Sequence, residues 1–456
     1  MPETTKTCQV EMHDGKPCGR ELYDWRCIFH AYWKDKDAEL FQKKLDEIFR
    51  DESLKTYDFT GFIFPASIVF PKELSKNVSF KHAKLKGGAH FESTCFKEEA
   101  DFEGTAFKGK ANFLGATFNG AVNFRDAIFE YGANFSFATF ENDTYFWEAR
   151  FKDYAHFTGA VFKDYAGFGG VLFGGEANFG SSSFEHKATF TAATFEDTFV
   201  LIGPEKHQKD VLPREVDFRW VTFLKPKKVE FRKVNLSRAS FFGTDVREVH
   251  FTDVSWYREK GKGRNKLFDE VFPDPKTKKF DYALIAQLYR RLRANYEENL
   301  RYSEAGDFYI GEMEMTRKAE KNIFKKLPLL FYKAISNYGE SYYRPLGWIV
   351  VILLIFPLLF MFGGIQPVSL DHNNLMEEII HYRLHFSSIE SFLPTAEKIS
   401  DYYTCFLYSM SAFFLIRDKK YTTIDNWGHT LFVLESILSP VTLAFFLLAL
   451  RRRFKR

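Results

Sequence analysis

The chain has 456 residues, enough for two or three domains, and a formal net charge of +3 that points to no particular partner. Its five Cys, at 8, 18, 27, 95 and 405, are too few and too scattered for a disulfide scaffold. Residues 1–30 are polar and cysteine-bearing, so no cleavable signal peptide is expected, and a reducing cytosolic compartment fits this part of the chain.

In chain order, the first motif is Cys8-x9-Cys18-x8-Cys27-x2-His30. Three thiols and an imidazole can close a tetrahedral zinc shell, and Gly15 and Gly19 let the backbone bend around a metal. The plainer alternative is three thiols beside an unrelated His. A closed four-ligand shell makes the expected zinc structural, with Cys8, Cys18, Cys27 and His30 as its ligands in a segment spanning 1–32. Residues 33–57 follow as a cap. Leu40, Phe41, Leu45, Ile48 and Phe49 recur at helical spacing, and an amphipathic helix here would cover strand edges of whatever comes next.

What comes next is a repeat. From Phe80, every eleventh residue to Phe190 is Phe; five residues after each of these stands another aromatic position, Phe from Phe96 to Phe195 and Leu only at Leu85. Steps of five and six, with Gly and Asn in the gaps, exclude a helical supercoil, which needs steps of three and four. The position two before each Phe is usually Ala. In an extended segment those two residues share a side, so each unit sends one small and one large side chain inward and then turns a corner. The rhythm slips through Pro71–Asn77. Residues 201–216 break it as an inserted loop, and it returns at Phe218, Phe223, Phe231, Leu236 and Phe242.

The stretch Ala-Asn-Phe-Leu-Gly-Ala-Thr-Phe-Asn-Gly (111–120) resembles the pentapeptide-repeat family, whose consensus is Ala-(Asp/Asn)-(Leu/Phe)-x-x. The resemblance covers about Phe59 to Phe251. It implies a β-solenoid, a right-handed quadrilateral β-helix, over 58–255. With one residue added to every second unit, each four-sided coil takes two of the eleven-residue periods. The Cys-x-Phe-His ending of the first motif is likewise similar to short zinc-knuckle segments that precede such repeats.

Charge is uneven along the solenoid: 22 Lys+Arg against 13 Asp+Glu between residues 205 and 293, but 11 against 16 over 80–200. The basic end either faces something anionic or is simply solvated. Residues 256–344 read as a helical bridge. Tyr282, Ile285, Leu288, Tyr289 and Leu292 form one apolar face, and Ala305, Phe308, Tyr309, Glu312 and Met313 a second; Phe331–Arg344 reads as an amphipathic membrane-surface helix.

Residues 345–456 form the last domain. Leu346–Ile365 is twenty uncharged residues, long enough to cross a bilayer even with Pro357 inside. Tyr402–Ile416 is apolar but short, the length of a re-entrant pore helix. Trp427–Leu450 is a second span, interrupted by Glu435 and Pro440. The terminal Arg451-Arg-Arg-Phe-Lys-Arg456 argues for a cytoplasmic C-terminus, and two spans then place residues 1–344 on the same side. The expected location is a bacterial-type inner membrane, multi-pass, with both termini cytoplasmic.

The order of span, short helix and span over Tyr343–Arg456 resembles the two-transmembrane potassium-channel-like pore domain. The likeness is carried by Tyr408-Ser-Met-Ser-Ala-Phe-Phe, Trp427-Gly-His-Thr-Leu-Phe-Val-Leu-Glu435 and the terminal Leu-Arg-Arg-Arg. It implies a homo-oligomer, a tetramer. The family's filter glycines are missing, because no Gly occurs between Gly364 and Gly428, so potassium selectivity is not expected. Thr422, Thr423 and Asp425 are candidates for a wider pore entrance, Arg417, Lys419 and Lys420 for a ring that attracts anions. Glu435, inside the second span, faces either a cavity or a neutralising neighbour helix. There is no phosphate loop, nucleophile elbow or paired acid/base, so no enzyme is expected, and no nucleic-acid partner. Two functions stand from the sequence: an oligomeric ion channel or channel-like pore in contact with membrane lipid, with a cytoplasmic sensor or scaffold, or a non-conducting membrane-anchored scaffold whose solenoid binds protein partners.

Overall fold

The computed structural model describes residues 7–12, 15–22, 26–31, 36–65, 68–203, 215–261, 263–273, 277–368, 379–380, 396–416 and 420–454. The chain divides into two compact units, Met1–Met315 and Thr316–Arg456.

The first unit is built on a four-sided β-solenoid. Strands of two to four residues stack in parallel into four sheets of nine, eight, eight and six strands, one sheet per side. Successive coils pair at a fixed offset of two eleven-residue periods, as in Ala111 with Ala133 and Phe118 with Phe140. Coil spacing of about 4.8 Å gives the nine-stranded side a length of about 40 Å.

The alternation of five and six follows from two kinds of corner. A left-handed residue recurs every eleven positions, from His82 and Ser93 through Gly104, Gly115, Asp126 and Phe137 to Ala192, always two after a core Phe. The N–H one further on donates to that Phe carbonyl, as from Ala83 to Phe80 at 2.8 Å and Ala138 to Phe135 at 3.1 Å. This is a type II turn, and it takes the five-residue step. The Asn before the Phe completes it: Asn123, Asn134 and Asn178 accept from the N–H two residues on at 2.9–3.0 Å. The other corners take six residues and pack coil on coil. A Cβ on Gly109 would collide with the carbonyl oxygen of Gly87, so the coils meet there through bare backbone.

Inside, the Phe residues form four columns. Phe113 stacks on Phe135 at 4.8 Å, Phe118 on Phe140 at 5.1 Å, Phe124 on Phe146 at 4.8 Å and Phe129 on Phe151 at 4.5 Å, each pair within 5° of parallel. Neighbouring columns meet edge to face, as Phe113 does Phe124 at 84°. Each buried ring contributes roughly 1.5–3 kcal/mol of transfer free energy, and each ring pair about 0.5–1.5 kcal/mol more.

The slip near Pro71 is smaller than the sequence implies. Thr56 pairs with Asn77 and Ile63 with Lys84, one position short of the regular offset that Glu73 with Cys95 already shows. One residue is missing, because the step from Phe70 to Leu74 is four instead of five, and the strands Glu73–Leu74 and Asn77–Ser79 carry the ladder through. The insertion appears as a spacing of 28 between Lys187 and Glu215; residues 204–214 themselves lie outside the described residues.

Helix α1, Ala38–Arg50, covers the first coil. Asp37 caps it by accepting from the Leu40 N–H at 3.0 Å; Phe41 and Leu45 are buried, and Phe49 meets Tyr57, Phe59 and Phe70 edge-on. The far end is closed by the short helix α2, Phe268–Val271, and by α3, Tyr282–Glu298, and α4, Tyr302–Ala319. Asn295, fully buried on α3, donates to the carbonyls of Val246 and Val249, and Trp256 donates from Nε1 to the Tyr296 hydroxyl at 2.8 Å. Much of the stretch read as a bridge is thus the solenoid's second cap, because its last coil offers open carbonyls and the rings of Phe241 and Phe251.

The second unit holds α5, Ile323–Ser336; α6, Tyr343–Gly363; α7, Ala396–Phe413; and α8, Asn426–Phe454. Helices α6 and α8 are long and apolar enough to cross a membrane. The surface helix expected over Phe331–Arg344 begins instead at Ile323 and stops where Asn337 and Tyr338 turn left-handed.

Candidate metal centre and helical polar cluster

Residues 7–12 and 15–22 pair as a hairpin, bridged between Thr7 and Glu21 and between Glu11 and Pro17. It carries Cys8 and Cys18 side by side, with Cys18 N–H on Val10 O and Gly19 N–H on Cys8 O. A turn from Cys27 to His30, closed by the His30 N–H on Cys27 O at 2.9 Å, brings in the other two. The four ligand atoms lie within 4.8 Å of one another, so this Cys3His group could hold a metal.

The donor set fits the purpose. The Cys18 and Cys27 sulfurs are 3.7 Å apart, close to the edge of about 3.8 Å that a tetrahedron of about 2.3 Å metal–sulfur bonds requires. His30 turns Nδ1 toward the sulfurs, 3.1 Å from Cys27 and 3.5 Å from Cys8. Its Nε2 lies 3.0 Å from the carbonyl oxygen of Thr60, which fixes the tautomer with Nε2 as donor and leaves the Nδ1 lone pair for a metal. The hydrogen bond from Cys27 holds the Cys18 thiol below its usual range, with the Arg20 guanidinium assisting from 3.1 Å, and the same bond pushes Cys27 up. The thiolate is the form of either sulfur that binds metal. Arg20 and the Thr60 carbonyl were not legible as site groups, because no spacing rule links them to the cysteines.

This centre is part of the solenoid's cap. Phe29, between Cys27 and His30, stacks on Phe62 at 4.4 Å and meets Phe41 edge-on, and its carbonyl accepts from the Ile63 N–H at 2.8 Å. Lys36 donates to the carbonyls of Phe29 and Ile63, and burial brings its pKa down to about 7.

In the second unit α7 packs against both α6 and α8. Gly363 and Gly428 face each other so closely that a Cβ on the first would lie 3.3 Å from the Cα of the second. Of the candidates named for a pore entrance, two lie in a strand and one begins a helix. Thr422 and Thr423 sit in a strand, Tyr421–Thr423, paired antiparallel with Ile365–Pro367 at the end of α6. Asp425 stands at the start of α8 and accepts from the Gly428 N–H at 2.7 Å. Lys420 is exposed, its carbonyl accepting from Val368 N–H. Arg417 and Lys419 lie outside the described residues. Glu435 is fully buried against α7, where Ser409 donates to its Oε1 at 2.5 Å. Ser409 stood in the quoted Tyr408-Ser-Met-Ser motif without a role.

The solenoid defines the class: a protein of stacked short repeats, carrying two helices able to span a membrane. The family model described as "Pentapeptide repeats (9 copies)" matches residues 80–128, 102–150 and 124–172, so the middle of the solenoid is made of pentapeptide repeats. An uncharacterized protein of Methanocaldococcus jannaschii is 32% identical over 151 residues, covering 29% of this chain and 32% of that protein. The chain thus spans about a third of that relative's length. No solved structure matches the chain.

Proposed function

We propose that the protein is a channel-like membrane assembly whose pentapeptide solenoid is its cytoplasmic scaffold or sensor. The observation that carries this reading is α7, longer than the apolar stretch Tyr402–Ile416 but polar in its first turns (Lys398, Asp401), packed against both span-length helices α6 and α8, which also pack on each other. The basic end of α8 supports a cytoplasmic C-terminus and, with two spans, a cytoplasmic solenoid in an inner membrane. The four-fold homo-oligomer is carried only by the likeness to channel domains. The metal at Cys8, Cys18, Cys27 and His30 is zinc on this reading, held for structure: three thiolates and an imidazole select a borderline-soft ion, and all four donors are used.

Currents from purified full-length protein in planar bilayers, under voltage, tension and pH steps, test conduction. Unitary currents abolished or altered in selectivity by Lys420→Glu support it; silence under all three stimuli overturns it. A second reading, a non-conducting anchor whose solenoid binds protein partners, is favoured by one observation: within a single chain the Asp425 carboxylate is engaged in a helix cap and the backbone of Thr422 and Thr423 in a ladder.

A further inference from the structure

The middle of the second unit contains a polar site that neither the repeat nor the helix-packing pattern explains. From Gly347 through α6, from Tyr402 through α7 and from Thr430 to Leu450 on α8, Glu435 is the single formally charged side chain. It is fully buried within its own chain, so it does not line a surface that a neighbouring copy would complete. One carboxylate oxygen accepts from Ser409 on α7; the other, Oε2, is buried and has no hydrogen-bond partner among the described residues. A carboxylate left alone in an apolar interior is costly enough that it acquires a positive charge or a proton.

The same turn of α8 supplies more unspent oxygen. The hydroxyls of Ser436 and Ser439 are buried and also lack partners among the described residues. That is unusual on these helices. Thr404, Thr430 and Thr442 each turn their hydroxyl back to the carbonyl four residues earlier, at 2.8–3.2 Å. Ser436 and Ser439 do not. Pro440 adds a third acceptor: it has no N–H, so the carbonyl of Ser436, four residues before it, loses its helical donor. A carboxylate oxygen, two hydroxyls and a freed carbonyl therefore gather within about one turn, with one negative charge among them and no side-chain cation paired to it among the described residues.

We propose that Glu435, with Ser436, Ser439 and the Ser436 carbonyl, binds one monovalent cation, a proton or an alkali-metal ion, between α7 and α8. One negative charge matches one positive charge, and hard oxygen donors suit either ion. Because Ser409 holds the other carboxylate oxygen, occupancy of this site bears on how α7 packs on α8. The inference rests on α6 and α8 lying in a bilayer, but not on conduction.

The test uses the full-length protein reconstituted in lipid nanodiscs and dicyclohexylcarbodiimide, which modifies protonated carboxyl groups in apolar surroundings. Labelling of Glu435, read by peptide mass, is expected to fall at least tenfold between pH 5.5 and pH 9.5. If NaCl or KCl at 100 mM, against an organic cation at equal ionic strength, lowers labelling further at fixed pH, the ligand is an alkali-metal ion; if only pH acts, it is a proton. Either outcome supports the site, and both are read on wild-type protein, so they stand even where Glu435→Gln fails to fold. Labelling that is absent at every pH, or unchanged by pH and by cations, overturns it. Release of the protein from vesicles by alkaline carbonate overturns the membrane reading beneath it; retention with flat labelling overturns this inference alone.

Discussion

His30 and Thr60 are joined by a hydrogen bond of 3.0 Å from the imidazole Nε2 to a backbone carbonyl in the first corner of the solenoid. That bond couples two structures that the sequence presents as separate, a metal-type cysteine cluster and a repeat. Metal on Nδ1 makes the Nε2 proton more acidic and the bond stronger. The first coil is therefore expected to feel the metal. One equivalent of zinc per chain should be found by elemental analysis and lost in Cys27→Ser. Removal by chelator should raise amide hydrogen exchange at Ile63, whose N–H donates to Phe29 O, while exchange at Phe135 stays unchanged. Equal exchange at Ile63 with and without metal would separate the centre from the fold.

The Phe columns make a contrast within three residues. Phe135 is fully buried and stacked between Phe113 and Phe157, whereas Phe137, in the left-handed position of the following turn, is 65% exposed. Phe135→Ala should cost about 3–5 kcal/mol in denaturant unfolding of the solenoid. Phe137→Gly should cost little or even stabilise, since it removes a strained φ of +57°, although it also strips the ring that lies over Gly159. A loss at residue 137 as large as that at 135 would refute the corner assignment.

Asp269 gives the solenoid's second cap a pH dependence. The residue is partly exposed, yet its carboxyl is closed in, accepting from the Ser240 hydroxyl at 2.5 Å and the Phe241 N–H at 3.3 Å. Burial, with Asp217 adding to it, pushes its pKa up from 3.8 to about 6. A raised carboxyl pKa means that the folded state holds the proton more tightly than the unfolded chain. Its stabilising contribution is complete below about pH 3.8, is lost as pH rises toward 6, and is flat above. Unfolding free energy of wild type minus that of Asp269→Asn should fall across pH 4–6. A difference independent of pH in this window would show that the carboxyl titrates normally.

Much of this was legible in the sequence for a physical reason: an eleven-residue period, taken twice per coil and repeated over many coils, leaves one way to bury every Phe that follows the period, so Phe80 to Phe195 specify the solenoid. The cysteine cluster was legible because side chains able to hold a metal announce themselves by residue type. What escaped was set by single backbone events. The step of four from Phe70 to Leu74 reads as a slip but is one missing residue in an unbroken ladder. The second cap was read as a bridge, since Asn295 gives no hint from position alone that its amide closes the last coil. Asp425 caps a helix start, a use that composition does not distinguish from a pore mouth.

Helix α5 carries the last prediction. At 100° per residue, Leu330, Ile323, Leu327, Phe331 and Phe324 fall on one contiguous arc, and all are exposed, Phe324 by 80%. Lys325, Lys326 and Lys333 lie off that arc. Within the unit α5 is fixed beside α8, with Tyr332 5.4 Å from Phe445 and the Arg452 guanidinium on the Tyr338 carbonyl at 3.1 Å. An apolar arc flanked by lysines next to the basic end of a span-length helix has the composition of a helix lying in an anionic headgroup layer. An environment-sensitive fluorophore on Phe324→Cys, in the full-length protein with Cys95 and Cys405 replaced by Ser and the metal ligands kept and zinc-loaded, should shift to the blue in nanodiscs containing anionic phospholipid. The shift should shrink when Lys325, Lys326 and Lys333 are changed to Gln. A fluorophore that stays in water in the presence of anionic lipid, while α6 and α8 remain integrated, would show that the arc is covered by something other than the bilayer.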